Sequence, residues 1–219
     1  MADRVVDLGG TVVFGETTEF IGAEHILAKR ARTKQVGEKI FEIVNRMEER
    51  ANAVGCDMRK GQPTPGNIEG GLSSIEEKSL GAIMKSGTRP IEGVLEYTDR
   101  IDGQKGLWIK DTPGREIEIL TGMAITGAQC MMFSTGRGAP QGFPTMPVLK
   151  VCGNPVTYKR MEHDMDINAG RIITGEKSIE EVGEEAFAHV LRVLSGEETK
   201  NEIIRYFNSI DIYTLGPVI

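Results

Sequence analysis

Two stretches decide the fold class: CMMFSTGRG at residues 130–138 and VLKVCGNP at residues 148–155. Each joins a short apolar run, Cys130–Ser134 or Val148–Cys152, to a loop with glycine near its start. Neither run alternates strictly between apolar and polar residues, which is typical of strands that are covered on both faces in a parallel sheet. A helix-sized segment separates the two runs, and this alternation of strand and helix predicts an α/β fold.

The same pattern extends toward the N-terminus. Similar apolar runs stand at Thr11–Phe14 and Leu107–Lys110. Apolar residues at helical spacing predict an amphipathic helix over about 35–54, and Ser178, Glu181 and Gly196 bound a second one over 178–195. Ser73 followed by Glu76 predicts a capped helix that stops at Gly87. We expect a mostly parallel, Rossmann-like three-layer sheet with helices on both faces.

Composition limits the class of protein. The 219 residues, 39% of them hydrophobic, can bury a sizeable core, and we expect one α/β domain over residues 1–219. A net charge of −6 argues against nucleic acid as the main partner. No apolar run approaches a membrane span, so a location in the cytoplasm is expected. The apolar tail over 200–219 is expected to pack on the body or on a partner.

The loops that follow the predicted strands are the first place to look for a ligand site, because ligands bind beyond the carboxyl ends of parallel strands. Glu16 follows the first run and Asp111 follows the second. Arg137, between Gly136 and Gly138, could bind a carboxylate through two parallel hydrogen bonds. An ordinary glycine-rich turn with a surface arginine explains the same residues equally well.

Other chemically capable residues have equally plain alternatives. Lys78 and Lys85 are seven apart on one helix face, and a desolvated Lys78 could act as a base, although most lysines are solvated. Asp164 and Asp166 could bind a divalent ion, but such residues also cap helix ends. Glu24-His25 forms a further pair of candidate ligands.

With these motifs the chain resembles the C-terminal half of the altronate/galactarate dehydratase family. The resemblance runs over essentially the whole chain, through Gly9-Gly10-Thr11, Gly22–His25, TPGNIEGGLSSIEEKSLGAIMKSG at 64–87, DTPG at 111–114, STGRG at 134–138, DMDINAG at 164–170, Ser195-Gly196 and Leu215-Gly216. The 64–87 and 164–170 blocks are the most specific.

The resemblance implies a metal-dependent hydro-lyase that converts a sugar acid, such as altronate or galactarate, into a 2-keto-3-deoxy acid. A divalent ion is implied, Fe²⁺ before Mn²⁺ or Mg²⁺. At the matching motifs, the chemistry of the side chains assigns three groups of residues: His25, Lys78 and Asp111 as catalytic; Asn67, Lys85, Gly136, Arg137 and Gly138 as substrate-binding; Glu16, Glu24, Asp164 and Asp166 as metal ligands.

Family enzymes carry a further segment before the matched region, and a small N-terminal domain that is a separate subunit in sulfolactate sulfo-lyase. We therefore expect a partner, either the N-terminal portion of the same enzyme or a separate subunit, and weak or no activity from this chain alone. A homo-oligomer is compatible with the same resemblance. The alternatives are a fragment of the sulfolactate sulfo-lyase large subunit, or a non-catalytic assembly module.

Overall fold

A computed structural model describes residues 1–207 and 209–214. Its backbone divides into two compact units, residues 2–115 and residues 116–219, with Met1 grouped with the second unit. The single α/β domain expected from length thus comprises two units. Each has its own parallel sheet and its own core.

The first unit is built on three parallel strands, β1 (Thr11–Phe14), β2 (Ile91–Leu95) and β3 (Gly106–Lys110), in the order β1-β3-β2. Its helices are α1 (Ala2–Asp7), α2 (Glu24–Lys29), α3 (Lys34–Ala53), α4 (Met58–Gly61), α5 (Pro65–Glu69) and α6 (Ile75–Ile83), with 3₁₀ turns at Thr17–Glu19 and Met84–Ser86. The core gathers Phe20, Ile21, Leu27, Ile40, Ile43, Val44, Ile91, Leu107 and Ile109.

The second unit repeats this plan with β4 (Met131–Thr135), β5 (Val148–Cys152) and β6 (Ile167–Asn168), in the order β4-β5-β6 and all parallel. Its helices are α7 (Glu116–Thr126), α8 (Pro155–Arg160), α9 (Gly170–Ile173), α10 (Ile179–Leu194) and α11 (Lys200–Ile203). The α/β class and the parallel pairing are confirmed, but the helix-sized segment expected to separate the runs at 130–134 and 148–152 forms no helix: residues 136–147 connect β4 to β5 as turns and irregular backbone. The strands form two three-stranded sheets where one larger sheet was expected.

The long helices follow the sequence pattern closely. Thr33 caps α3, and the buried side chains of Ile40, Ile43, Val44 and Met47 form its apolar stripe. Ser178 and Glu181 form the predicted capping box of α10. The cap of α6 was predicted one residue early: Ser74, not Ser73, accepts the hydrogen bond from the Glu77 amide.

Two strands were not predicted, and both lack a continuous apolar run. In β2 the sequence IEGVL alternates between buried and half-buried residues, as expected of an edge strand. Its Gly93 lies under Trp108, where an added Cβ would come within 2.2 Å of the indole ring. The other missed strand, β6, has only two residues.

The described part of the tail bonds to the second unit. Asn201 is buried and donates from Nδ2 to the Val148 carbonyl at 2.5 Å. The carbonyls of Tyr206 and Asp211 accept hydrogen bonds from Gly142 N and Thr121 Oγ1. Residues 208 and 215–219, which belong to the predicted tail, lie outside the described residues. Within the described part of the chain, no helix has the length and apolar character to cross a bilayer.

Candidate functional site

The carboxyl edge of the first sheet carries a buried polar cluster. Because β1 and β3 are parallel neighbours, the segment after Phe14 meets the segment after Lys110. Thr17 donates from Oγ1 to Asp111 Oδ1 at 2.7 Å, and its backbone N–H donates to the Thr112 carbonyl at 3.0 Å. All three residues of this cluster are at most 3% exposed. The carboxylate of Asp111 is therefore held in a fixed position beyond the strand ends.

Helix α3 adds a cation to this edge. The Nη2 atom of Arg46 lies 2.6 Å from Asp111 Oδ2 and 2.5 Å from Oε2 of Glu96, the residue that follows β2. The hydrogen bond with Glu96 and the neighbouring Asp111 raise the pKa of Arg46. The hydrogen bond from Arg46 in turn lowers the pKa of Glu96. The result is an ion-pair network of two carboxylates on one guanidinium, which joins α3 to the segments that follow β2 and β3.

Glu16, a predicted metal ligand, has an unusual backbone at the same edge. Its φ of 69° lies in the left-handed region, which costs a residue other than glycine about 1–3 kcal/mol. The Thr112 hydroxyl oxygen holds this conformation by accepting the Glu16 N–H at 2.7 Å. Strain of this kind is concentrated at functional sites, and it favours a functional role for this loop.

Lys78 and Lys85 share one carboxylate. Their Nζ atoms lie 3.4 Å and 3.7 Å from the two oxygens of Glu19, in the turn after β1. Lys78 also donates to Gln62 Oε1 at 3.0 Å. The two lysines face the same carboxylate, as their spacing suggested, although Lys85 lies in the 3₁₀ turn after α6 and not on the helix itself. Their partner Glu19 was not predicted.

The other predicted site residues of the first unit, Asn67, Glu24 and His25, take no part in the hydrogen bonds and ion pairs described above. Asn67 accepts a hydrogen bond from the hydroxyl of Thr64, the residue before α5, at 2.9 Å. Glu24 opens α2, and its Oε2 atom is buried with no hydrogen-bond partner among the described residues. His25 next to it is exposed. The roles assigned to these three residues stay predictions.

In the second unit the STGRG stretch leads out of β4, as predicted: Ser134 and Thr135 end the strand, and residues 136–138 form the loop. Gly138 has a φ of 95°, and an added Cβ would lie 2.2 Å from the Met161 sulfur, so this position requires glycine. The Gly138 N–H donates to Thr135 Oγ1, and the Gly136 carbonyl accepts from Thr157. The Arg137 side chain is exposed. The loop geometry is compatible with a carboxylate site and with a surface arginine alike.

In the DMDINAG block, the second aspartate, Asp166, links two elements of the second unit. Asp166 accepts the backbone N–H of Lys150 at 2.6 Å and that of Lys200 at 2.8 Å, so both of its oxygens are used to join β5 to α11. This is the capping role that was weighed against metal binding. Asp164 is half-buried, and its N–H donates to the Met161 carbonyl.

Within the residues that the structure describes, neither unit assembles a metal site. Among residues 1–207 and 209–214, no three His, Cys, Asp or Glu side chains gather in a way that could hold an ion. The four predicted ligands divide between the units, Glu16 and Glu24 in the first and Asp164 and Asp166 in the second. Within each unit, the described residues do not by themselves fit the implied metal.

Sequence reasoning missed Arg46, Glu96 and Thr17. Arg46 lies directly beside the apolar stripe of α3, and a charged residue in that position was a usable signal. Glu96 follows a strand that was not predicted. Two fully buried lysines, Lys110 and Lys150, were also missed, because each lies in a strand that otherwise appears apolar.

A protein-family profile and several known proteins match this chain over most of its length. The profile of the family D-galactarate/altronate dehydratase, C-terminal, matches residues 1–218. The (2R)-sulfolactate sulfo-lyase subunit beta of Chromohalobacter salexigens is 36% identical over 206 residues, which are 92% of this chain and 52% of that protein. The galactarate dehydratase (L-threo-forming) of Escherichia coli K12 is 37% identical over 218 residues, 99% of this chain and 41% of its own length.

A third relative, the altronate dehydratase of Bacillus subtilis, is 33% identical over 201 residues, 92% of this chain and 40% of that enzyme. The chain thus spans about half the length, or less, of the curated relatives that it matches.

Proposed function

Because the chain belongs to the D-galactarate/altronate dehydratase family and matches its C-terminal part, we propose that it is the C-terminal portion of a hydro-lyase. The substrate is a sugar acid such as galactarate or altronate, and the product is a 2-keto-3-deoxy acid. The observation that carries the proposal is the network at the edge of the first sheet, where Asp111 is held by Thr17 and Arg46.

The elimination needs groups of the kind found at this edge. A base takes the proton from the carbon next to the substrate carboxylate, and cations stabilise the enediolate that results. An acid protonates the hydroxyl on the next carbon, which leaves as water, and the enol product becomes the 2-keto acid. We assign proton transfer to Asp111 and Lys78, and charge stabilisation to Lys85. His25, exposed on α2, is a further candidate for proton transfer.

The complete active site requires more of the enzyme than this chain. We propose that the N-terminal portion or a separate subunit completes it in the cytoplasm, since the relatives extend well beyond the matched region. A divalent ion, Fe²⁺ first, remains part of the proposal. No step above depends on the ion, because the described donors within either unit do not make a ligand set.

A chimera tests the proposal. The chain replaces the matched C-terminal region of the E. coli galactarate dehydratase, and release of 2-keto acid from galactarate and altronate is measured with and without a chelator. We expect turnover by the chimera and little by the isolated chain. Asp111→Asn in the folded chimera should lower kcat by at least about tenfold. A folded chimera that is inactive on both sugar acids contradicts the dehydratase assignment.

The second candidate is a (2R)-sulfolactate sulfo-lyase. The relative with that name is 36% identical and has the largest fraction of its own length covered among those described, 52%. The same edge would serve, because the elimination has the same base and the leaving group is sulfite. Sulfite release from (2R)-sulfolactate by a matching chimera with that subunit would favour this candidate. A non-catalytic assembly role would give no turnover in either chimera.

A further inference from the structure

Two residues other than glycine, Glu16 and Arg205, have a positive φ in the part of the chain that the structure describes, at 69° and 57°. Eleven glycines also have a positive φ there. Glycine adopts this conformation at no steric cost, whereas a residue with a Cβ is strained in it. This chain therefore usually has glycine where its backbone turns in this way, and the glutamate at position 16 is an exception that costs stability.

Thr112 holds the exceptional conformation through all of its polar groups. Its Oγ1 atom accepts the Glu16 N–H at 2.7 Å, its carbonyl accepts the Thr17 N–H at 3.0 Å, and its own N–H donates to Thr17 Oγ1 at 3.2 Å. Two residues further on, a Cβ at Gly114 would lie 2.5 Å from Thr18 Oγ1, so the loops after β1 and β3 are packed closely together. Thr112 has no exposed surface, and water therefore does not compete for these bonds.

The strained residue stands beside the carboxylate that the proposed elimination uses. Thr17, which follows Glu16, donates to Asp111 Oδ1 at 2.7 Å, and Arg46 occupies the other oxygen at 2.6 Å. Asp111 is only 3% exposed, whereas Glu16 is half-buried. Of these two acidic residues at the carboxyl edge of the sheet, Glu16 thus has more of its surface open to a substrate.

We propose that Thr112 is a positioning residue for the elimination, and that it holds Glu16 where the Glu16 carboxylate meets the substrate. The inference rests on the proposed function and adds a second carboxylate to the chemical step beside Asp111. A turn that served the fold alone would be built at least as well with glycine at position 16, and without strain. Stability and activity should therefore respond in opposite directions when this side chain is removed.

Two glycine substitutions separate strain from function. Glu16→Gly and its matched control Arg205→Gly both relieve a positive φ, and each should raise the melting temperature of the chain by about 2–4 °C. In the chimera with galactarate dehydratase, Glu16→Gly should lower kcat at least about tenfold, while Arg205→Gly should leave it within about twofold. A lower melting temperature for Glu16→Gly would show that the carboxylate serves the fold and would overturn the proposal.

Substitution of Thr112 tests the positioning itself. Thr112→Val keeps the shape of the side chain and removes the hydroxyl, whereas Thr112→Ser keeps the hydroxyl. A residue with positive φ gives a strong NOE between its own HN and Hα, which can be measured at Glu16 in the ¹⁵N-labelled chain. We expect Thr112→Val to lose this NOE and Thr112→Ser to keep it. A Glu16 NOE that is unchanged in Thr112→Val would mean that Thr112 does not hold this backbone.

The kinetics of the same variants distinguish positioning from a general loss of structure. In the chimera, Thr112→Val should lower kcat about tenfold and change KM less than about threefold, because it acts on the chemical step, and Thr112→Ser should restore most of kcat. If Thr112→Val does not fold, the two glycine substitutions carry the test. An inactive parent chimera contradicts the dehydratase assignment, whereas an active parent with full kcat in Glu16→Gly contradicts only the role of Glu16 and Thr112.

Discussion

Arg46 and Asp111 are joined side chain to side chain although 65 positions separate them: Nη2 of Arg46 lies 2.6 Å from Oδ2 of Asp111. The Asp111 side chain is only 5% exposed and that of Arg46 is 27% exposed. Removal of the carboxylate charge would leave the guanidinium with Glu96 alone. The pair is therefore a direct test of how far the edge network stabilises the first unit.

Asp111→Asn should lower the free energy of unfolding by about 2 kcal/mol, because it breaks a charged hydrogen bond at a mostly buried site. Urea unfolding of the whole chain at pH 7 measures this. Asp102→Asn, in the exposed loop before β3, is the control and should change stability by less than about 0.5 kcal/mol. Equal effects of the two variants would mean that the network contributes nothing.

Lys110 should lower the stability of the protein at neutral pH, and it should lower it less as the pH rises. It is fully buried, its Nζ donates to the Asp99 carbonyl at 2.8 Å, and burial lowers its pKa from 10.5 to about 8. The unfolded chain therefore binds more protons between pH 8 and 10.5, so this residue's contribution to stability improves as the pH rises through that window.

Comparison with Lys110→Met isolates this effect. We expect the variant to be at least as stable as the parent at pH 7. Between pH 7 and 10.5, the unfolding free energy of the parent should rise by about 3 kcal/mol relative to that of the variant. Urea titrations at several pH values measure the difference. Lys105→Met, at an exposed lysine, should show no such drift. A constant difference for Lys110→Met would show that this ammonium is not desolvated.

Lys150 and Glu116 should be strongly coupled. Lys150 Nζ lies 2.5 Å from Glu116 Oε1 and 4.4 Å from the centre of the Phe133 ring, with no exposed surface on the lysine side chain. Glu116→Gln should destabilise the chain by about 2 kcal/mol, because it leaves a buried ammonium without its counter-charge.

The double variant Glu116→Gln with Lys150→Met should recover most of that loss, since it removes the charge that needed a partner. Unfolding free energies of the two single variants and the double variant give the coupling. Strictly additive effects would contradict a direct interaction between the two side chains.

Gly170, the last residue of the DMDINAG block, should not tolerate a side chain. An added Cβ would lie 2.6 Å from the backbone nitrogen of Pro155, at the start of α8. Gly170→Ala should therefore cost about 1–3 kcal/mol through strain. Gly153→Ala, where an added Cβ meets nothing within 4 Å, is the matched control. Thermal unfolding of both variants measures the cost, and similar melting temperatures would refute the close approach.

The sequence by itself determined the elements whose cause is local. The helices Lys34–Ala53 and Ile179–Leu194 follow from apolar spacing and from caps that act over three or four residues. The strands Thr11–Phe14 and Val148–Cys152 follow from short apolar runs. Their parallel pairing was expected from alternation with helices, but β4 and β5 pair in parallel with no helix between them. The family could be identified for the same reason, because its motifs are contiguous.

Only the tertiary structure decided which distant side chains meet. The Arg46–Asp111 pair, the sharing of Glu19 by Lys78 and Lys85, and the use of Asp166 by two amides depend on how strands and helices pack. A carboxylate has the same local sequence pattern whether it binds a metal, a guanidinium or a backbone N–H. The choice among these depends on partners that lie far away in the sequence and become neighbours only when the sheets form.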